Sequence, residues 1–248
     1  MKEAPEFDTA STRRLFAVEL PALGSELELG NEAAQHARVL RLAVGDPLRL
    51  FDGRGHTALA SVVHTGKGSL RCIAREAPRF EPRVASVGLV QCLPKAGKLD
   101  DIVRMTTELG VSEIALAVSE YCVARGNRDE HKLERLERIA LEACRQSEQA
   151  WLPVLHGPRP LAEVLASVPR DAYRAACVER SAMPLPRSVD APALWLVIGP
   201  EGGLSPADRD LLTRENFLST ALGRSILRTE TAAVVGVALA LERLGRPR

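Results

Sequence analysis

The 248 residues hold no run approaching the ~20 consecutive apolar positions that a membrane-spanning helix needs. The opening Met1 to Asp8 is acidic and polar where a secretion signal would be basic and then apolar. Both absences predict a cytoplasmic protein that does not touch a membrane. Cys72, Cys92, Cys122, Cys144 and Cys177 show no C-x-x-C spacing and no nearby histidine pair, so neither a zinc site nor a disulfide framework is suggested and no metal is expected. His36, His56, His64, His131 and His156 stand singly, and G-x-S-x-G and H-E-x-x-H are both missing, which removes the common hydrolase signatures. Charge of one sign is lacking too: 33 Lys and Arg stand against 32 Asp and Glu, a net +1. That is well short of the basic excess that announces a nucleic-acid binder by itself. Only local groups remain as candidates for phosphate contact, namely Arg13 with Arg14, Arg38 with Arg41, and Lys95 with Lys98.

What is present is an ordinary globular composition, 46% hydrophobic and 26% charged, sized for one large domain or two smaller ones. From about residue 12 to 75 short alternating runs recur between turns: Leu15 to Val18, Pro47 to Phe51, Thr57 to Val63 and Ser69 to Ile73. That spacing predicts a small β-barrel or sandwich. One helix interrupts it, capped by Asn31 and carrying Ala34, Ala37, Val39 and Leu40. Between Arg75 and Arg83 two prolines and mixed charges replace any apolar period, which places a domain boundary there. Beyond it, strands at Val84 to Cys92, Glu113 to Val118, Tyr173 to Val178 and Leu194 to Ile198 alternate with helices at Lys98 to Leu109 and Lys132 to Glu148. Alternation of this kind means βαβ units and a mainly parallel sheet. The last helix, Thr231 to Leu244, is apolar on nearly every face, so its own sheet and a crossing chain, or a second subunit, must cover it. We take a dimer interface as the expectation.

Two segments carry the chemistry. Gly199-Pro-Glu-Gly-Gly203 directly follows the apolar strand that ends at Ile198. Its glycines let a ligand approach the main chain, whose N–H and C=O groups can read an adenine edge and a ribose. Ser205, Pro206 and Asp208 then open a helix with a capping box. In the second segment, Leu222 and Gly223 lead to Ile226 and Leu227, which can wall a ligand, and Thr229, Glu230 and Thr231 sit where a helix opens. A strand running into a glycine loop and then a helix is where α/β proteins place ligand sites. Gly53 to Ala58 also fits G-x-G-x-x-A, but a strand follows instead of a helix, so a hairpin turn explains it better.

These two loops resemble, nearly residue for residue, the signature loops of the α/β-knot (SPOUT) RNA methyltransferases, and specifically the family that methylates N3 of a uridine in 16S ribosomal RNA. The likeness extends along the chain through Arg14-Leu-Phe16, His36 to Arg41, Gly45 to Gly53, Lys95 to Asp100, Thr107 to Val111, Ser119 and Glu120 with Cys122, and Glu142, Ala143, Gln146 and Ser147. It implies a PUA-like, RNA-docking β-barrel over residues 1–80 and an α/β trefoil-knot methyltransferase domain over residues 81–248. It implies S-adenosylmethionine as cofactor, held by Val178 and Glu179, by Ile198, Gly199, Pro200, Glu201, Gly202 and Gly203, and by Leu222, Gly223, Ile226, Leu227, Thr229 and Thr231. The implied partners are the 16S rRNA of the small ribosomal subunit and a second copy of the chain.

Where the family has Pro-Arg after Leu-Gly, this chain has Arg224-Ser225, and where it has Gly-Arg after Gln-Ser, this chain has Glu148-Gln149. Any RNA contact made by those arginines moves to Arg224 or is lost. Uracil N3 carries a proton, so a base or a cationic environment must assist its attack on a methyl group. Arg14, reaching across from the barrel or the partner subunit, and Arg228 are the expected cations, with Glu201 or Glu230 as proton acceptor. The rival readings are a knot methyltransferase acting on another RNA base or a ribose, a non-catalytic RNA-binding assembly factor, and a metabolic enzyme acting on a small acidic substrate.

Overall fold

The computed structural model describes residues 12–95, 97–122, 130–179 and 183–244. The chain forms two compact units, Met1–Arg83 with Cys144–Trp151, and Val84–Ala143 with Leu152–Arg248. Among the described residues no helix is long and apolar enough to cross a membrane.

In the first unit, β1 (Arg13–Phe16), β2 (Glu26–Leu29), β3 (Pro47–Phe51), β4 (His56–Thr65), β5 (Leu70–Ala74) and β6 (Arg79–Phe80) form one sheet, with helix α1 (Asn31–Val39) beside it. The strand order is β1-β3-β4-β5-β2, and β6 pairs with β4. Inward residues of these strands, Leu15, Leu48, Leu50, Ala60, Val62, Leu70 and Cys72, pack with Ala34 and Ala37 of α1 into one core. Asn31 does not cap α1: Gly30 holds that position in extended backbone and no side chain bonds the first turn. β2 and β6 escape sequence reading because β2 is half exposed and β6 is a two-residue edge strand.

The second unit is a six-stranded, wholly parallel sheet of β7 (Val87–Cys92), β8 (Glu113–Val118), β9 (Val154–Pro160), β10 (Tyr173–Cys177), β11 (Leu194–Ile198) and β12 (Leu218–Thr220). Its helices are α2 (Lys98–Leu109), α3 (Glu130–Gln146), α4 (Leu161–Ser167), α5 (Pro206–Arg214) and α6 (Thr229–Leu244). The order is β12-β10-β11-β7-β8-β9, so successive strands step one way from β7 to β9 and the other way from β11. In open α/β sheets such a reversal leaves a crevice at the strands' carboxyl ends. β7 is buried at every position and β11 likewise, which is why both read as continuous apolar runs. β9 carries Gly157, Pro158 and Pro160; a sheet edge tolerates them because the missing N–H groups face no neighbour, but they erase the strand signal. After β10 the chain returns at Met183, whose carbonyl accepts from Ala221 N–H at 2.8 Å, and Pro184 bridges Ala221 in parallel.

Helix α6 lies on β7 and β11 and against α2. Ala233, Gly236, Val237 and Ala240 face inward, whereas Val234, Val235 and Leu239 are only half buried and Ala238 is exposed. Gly236 permits this approach: a Cβ there would stand 3.2 Å from Leu196 Cδ1. Gly88 of β7 is tighter still, because a Cβ would fall 2.2 Å from the indole of Trp195 on the neighbouring strand. We therefore expect Gly88→Ala to destabilise the protein by about 1–3 kcal/mol through overpacking, measured as a lower urea midpoint at unchanged slope; a midpoint equal to wild type would show that Trp195 moves aside at no cost.

Candidate active site

The carboxyl ends of β7, β10 and β11 and the start of α6 enclose one crevice with two lobes. The first holds about 360 Å³ and is walled by Ile198, Gly199, Pro200, Glu201, Gly203, Leu204, Arg209, Arg228, Thr229 and Lys98. The second holds about 300 Å³ between Thr220, Ala221, Leu222, Gly223, Arg224 and Ser225. Cys177, Val178, Glu179, Ile226, Leu227 and Ala232 face both. Volumes of this size are those of small-ligand pockets.

The geometry follows from how the chain leaves each strand. After Ile198, Gly203 donates to the Pro200 carbonyl at 2.9 Å and takes a positive φ of 73°, which turns the loop back on itself. Ser205 then caps α5, accepting from Asp208 N–H at 3.0 Å while the Asp208 carboxylate accepts from Ser205 N–H at 3.1 Å. The capping box predicted for these residues is thus formed.

A buried relay joins this loop to the other. The Gln91 side chain, fully buried at the end of β7, donates through Nε2 to the Cys92 carbonyl at 2.8 Å and to Thr229 Oγ1 at 3.1 Å. A carbonyl can only accept, so the amide group must face Cys92 with its nitrogen. Thr229 then has one proton to give, and it goes to the Gly199 carbonyl at 2.7 Å. Three elements meet at one hydroxyl.

An ionic bridge runs alongside. Lys98 Nζ lies 3.1 Å from Glu201 Oε1 and 3.1 Å from Glu230 Oε2, and Lys95 N–H donates to both Glu201 oxygens at 3.1 and 3.2 Å. The Glu230 contact is an ion pair without hydrogen-bond alignment. Desolvation would raise the Glu201 carboxyl, but hydrogen bonds from its own N–H, from Lys95 N–H and from Lys98 outweigh it and hold the group below 4.5, its ordinary value. Its own backbone N–H does most to lower Glu230, helped by Lys98 and the charge of Arg228 against a smaller desolvation. Lys98 is raised in turn, first by Glu230 and then by Glu201.

This arrangement changes several expected roles. Glu201 and Glu230, the expected proton acceptors, are both stabilised as anions, which weakens them as bases. Lys98 is compensated by two carboxylates and is a brace rather than a phosphate ligand. The Arg14 side chain is 11% exposed, its guanidinium lies 3.8 Å from Glu148 inside the first unit, and burial lowers its pKa. Arg13, Arg38, Arg41, Lys95 and Arg224 are exposed, and Arg224 also lines the second lobe. Arg228 is exposed on the first lobe, with no ion pair within 4.0 Å among the described residues.

Of the expected cofactor residues, Val178, Glu179, Ile198, Gly199, Pro200, Glu201, Gly203, Leu222, Gly223, Ile226, Leu227 and Thr229 all face the crevice. Gly202 and Thr231 do not. Gly202 backs onto Tyr121, where a Cβ would stand 3.3 Å from Tyr121 Cβ. Thr231 lies two residues past Thr229, about 200° further round the helix, and is exposed. Sequence reasoning missed Gln91, Leu204, Arg209 and Cys177; a polar Gln inside an apolar strand is the one signal that could have flagged Gln91. Desolvation pushes the Cys177 thiol up to about 12, which rules it out as a nucleophile. No group of three or more potential metal ligands occurs among the described residues.

Residues 81–241 match the family model of an RNA methyltransferase domain, and residues 29–74 match that of an RNA methyltransferase PUA domain. The chain belongs to this RNA methyltransferase family. It is 32% identical over 233 residues to the ribosomal RNA small subunit methyltransferase E of Mycobacterium tuberculosis, covering 90% of this chain and 89% of that one. The enzyme of the same name from Rickettsia conorii is 29% identical over 91% of this chain and 93% of its own. A crystal structure of a ribosomal RNA small subunit methyltransferase E from Neisseria gonorrhoeae, bound to S-adenosyl methionine, superposes with a TM-score of 0.85 at 25% identity, over 92% of this chain and 96% of that one. A Legionella pneumophila protein in complex with the same cofactor gives 0.83 at 26% identity, over 93% and 97%. As an RNA methyltransferase of this family the chain has the fold its sequence resemblance implies, a PUA-like barrel followed by an α/β-knot domain.

The ion pairs of this methyltransferase domain carry a definite pH dependence. Glu201 and Glu230 are lowered on folding, so the stability they lend is complete above the ordinary carboxylate range and lost as pH falls through their folded values. Urea midpoints of wild type and Lys98→Met should therefore differ at pH 7 and converge in acid. A difference that does not change with pH would take these ion pairs out of the site's stability.

Proposed function

We propose that this protein transfers a methyl group from S-adenosylmethionine to N3 of one uridine in the decoding region of 16S rRNA, in the cytoplasm, as a homodimer. The observation that carries the reading is the single crevice formed by the two glycine-bearing loops, because it offers what the cofactor's parts require. Leu222, Ile226 and Leu227 supply apolar walls for a flat neutral base, and the loop backbone supplies donors and acceptors for its edge and for a ribose. Glu179, facing both lobes, supplies a carboxylate for a sulfonium. When bound, the cofactor contributes an electrophilic methyl.

The chain's own groups do the rest. The Thr229 hydroxyl orients the Gly199 carbonyl, and Lys98 pairs with Glu201 and Glu230, adding to the backbone hydrogen bonds that lower the basicity of both. The lobe lined by Arg228 receives the target base, turned out of its RNA context. With both carboxylates disfavoured as bases, Arg228 stabilises the N3 anion electrostatically and the proton leaves to solvent. Partly covered Val234, Val235 and Leu239 with exposed Ala238 give α6 an apolar strip for the second copy.

Mass spectrometry of 16S rRNA from cells with and without the gene tests the activity and the target together: loss of one N3-methyluridine, restored by purified protein, is expected, and an unchanged nucleoside profile would refute the assignment. Two variants should separate the roles. Arg228→Ala should lower kcat by about 10²-fold, as for loss of one charge-stabilising donor, with cofactor affinity by calorimetry within twofold. Thr229→Val, which orphans the Gly199 carbonyl, should instead weaken cofactor binding, with Thr229→Ser restoring it; equal effects of both variants on both readouts would contradict this division.

A further inference from the structure

Phe80 is an outlier in its unit. The chain has only five phenylalanines, and Phe80 is 55% exposed, yet its ring is held as firmly as a core residue. It sits on β6 directly across the ladder from His56 on β4, with ring centroids 5.1 Å apart. From another side Trp151 meets it edge-on, 5.7 Å between centroids at 81°. Trp151 is itself locked: its Nε1–H donates to the Glu81 carbonyl at 2.8 Å, Arg83 lies over its ring at 4.6 Å, and Gly55 has a φ of +93°, where a Cβ would come within 2.4 Å of the indole. The His56 ring is anchored through Nδ1 to the buried Asp52 carboxylate at 2.9 Å, while its side chain stays 46% exposed.

Two exposed arginines stand within two residues of His56 or Phe80 in the chain. Arg54, 68% exposed, is held by a 2.7 Å bond to the Val18 carbonyl. Arg79, adjacent to Phe80 on β6, is 59% exposed and touches Glu76 only at 3.6 Å through Nε. An apolar ring kept in the open between two anchored rings gains nothing for the core. A rigid π-face with guanidinium groups beside it is what a single-stranded nucleic acid uses, since bases stack on aromatics and phosphates pair with arginines. Rigidity lowers the ordering cost of binding.

We propose that Phe80 and His56 form a stacking platform for one unpaired base of single-stranded RNA, with Arg54 and Arg79 contacting the flanking phosphates. The proposal rests on RNA being the substrate and adds a second contact site, outside the methyl-transfer crevice. The test uses the full-length protein and fluorescein-labelled oligouridylate of twelve nucleotides, titrated at several salt concentrations. Phe80→Ala should weaken binding about tenfold or more, Phe80→Leu should do the same because it keeps apolar bulk without a π-face, and Phe80→Trp should bind as wild type. Arg54→Gln and Arg79→Gln should each reduce the salt slope by about one. Cofactor affinity serves as the folding control and should not move in any variant. Wild-type protein that fails to bind the oligonucleotide, Phe80→Ala binding within twofold of wild type, or Phe80→Leu binding normally would each overturn the platform. A change in sedimentation of Phe80→Ala would overturn it too, assigning the patch to a second copy. Absence of cofactor binding or of methylation by wild type would sink the proposed activity instead, independently of the oligonucleotide result.

Discussion

The hydroxyl of Thr229 accepts a hydrogen bond from Gln91 and gives its only proton to the carbonyl of Gly199. Through that one atom the end of β7, the loop after β11 and the first turn of α6 are held at a common point. Two of these, the loop after β11 and the first turn of α6, line the crevice, so the buried relay ties one wall of it to the other. Polar groups inside a protein are costly unless satisfied; the Gln91 amide nitrogen and the Thr229 hydroxyl are bonded while Gln91 Oε1 has no partner among the described residues, and bonds of fixed donor direction resist rearrangement better than apolar contact, which is non-directional.

The Lys98 bridge repeats the connection at the surface and adds charge. Glu201 neighbours the loop held by Gly199, Glu230 follows Thr229, and one ammonium reaches both. Exposed ion pairs contribute little to stability and are screened by salt. Their consequence here is electrostatic: both carboxylates are matched by one ammonium and shifted to lower pKa, while Arg228 on the same lobe has no ion pair within 4.0 Å among the described residues. The site's electrostatics thus favour stabilising an anion over removing a proton by a side-chain base.

The barrel shows the complementary strategy. Its core cluster is small and aliphatic; Phe16 and Phe51 pair edge-on across β1 and β3, and a second aromatic group forms where β4, β6 and Trp151 meet. Arg14 is packed within this unit beside Glu148. That residue stands at one of the two places where the chain departs from the family pattern. A buried guanidinium needs a nearby carboxylate to offset its desolvation, and Glu148, with Glu81, supplies the charge.

What the sequence by itself determined was whatever short-range physics controls. β3, β8 and β11 and helix α2 with its stop at Gly110 fall where the apolar periods and the glycine place them, and the Ser205 capping box needs only residues three apart. The Gly199–Gly203 loop was legible because a buried strand runs into glycines, and the second loop because Leu222 and Gly223 lead into the helix opening at Thr229. Edge strands β9 and β12 were not, because prolines or brevity leave no period to read. Tertiary structure alone decided which charges are compensated. Gln91 is 138 residues from Thr229, and the Lys95 N–H that bonds Glu201 is 106 residues from it. No local pattern encodes such partners, since they become neighbours only when the sheet reverses its order at β7. The pairing of Lys98 with two carboxylates, that of Arg14 with Glu148 and the turning of Thr231 to solvent are therefore properties of the folded chain.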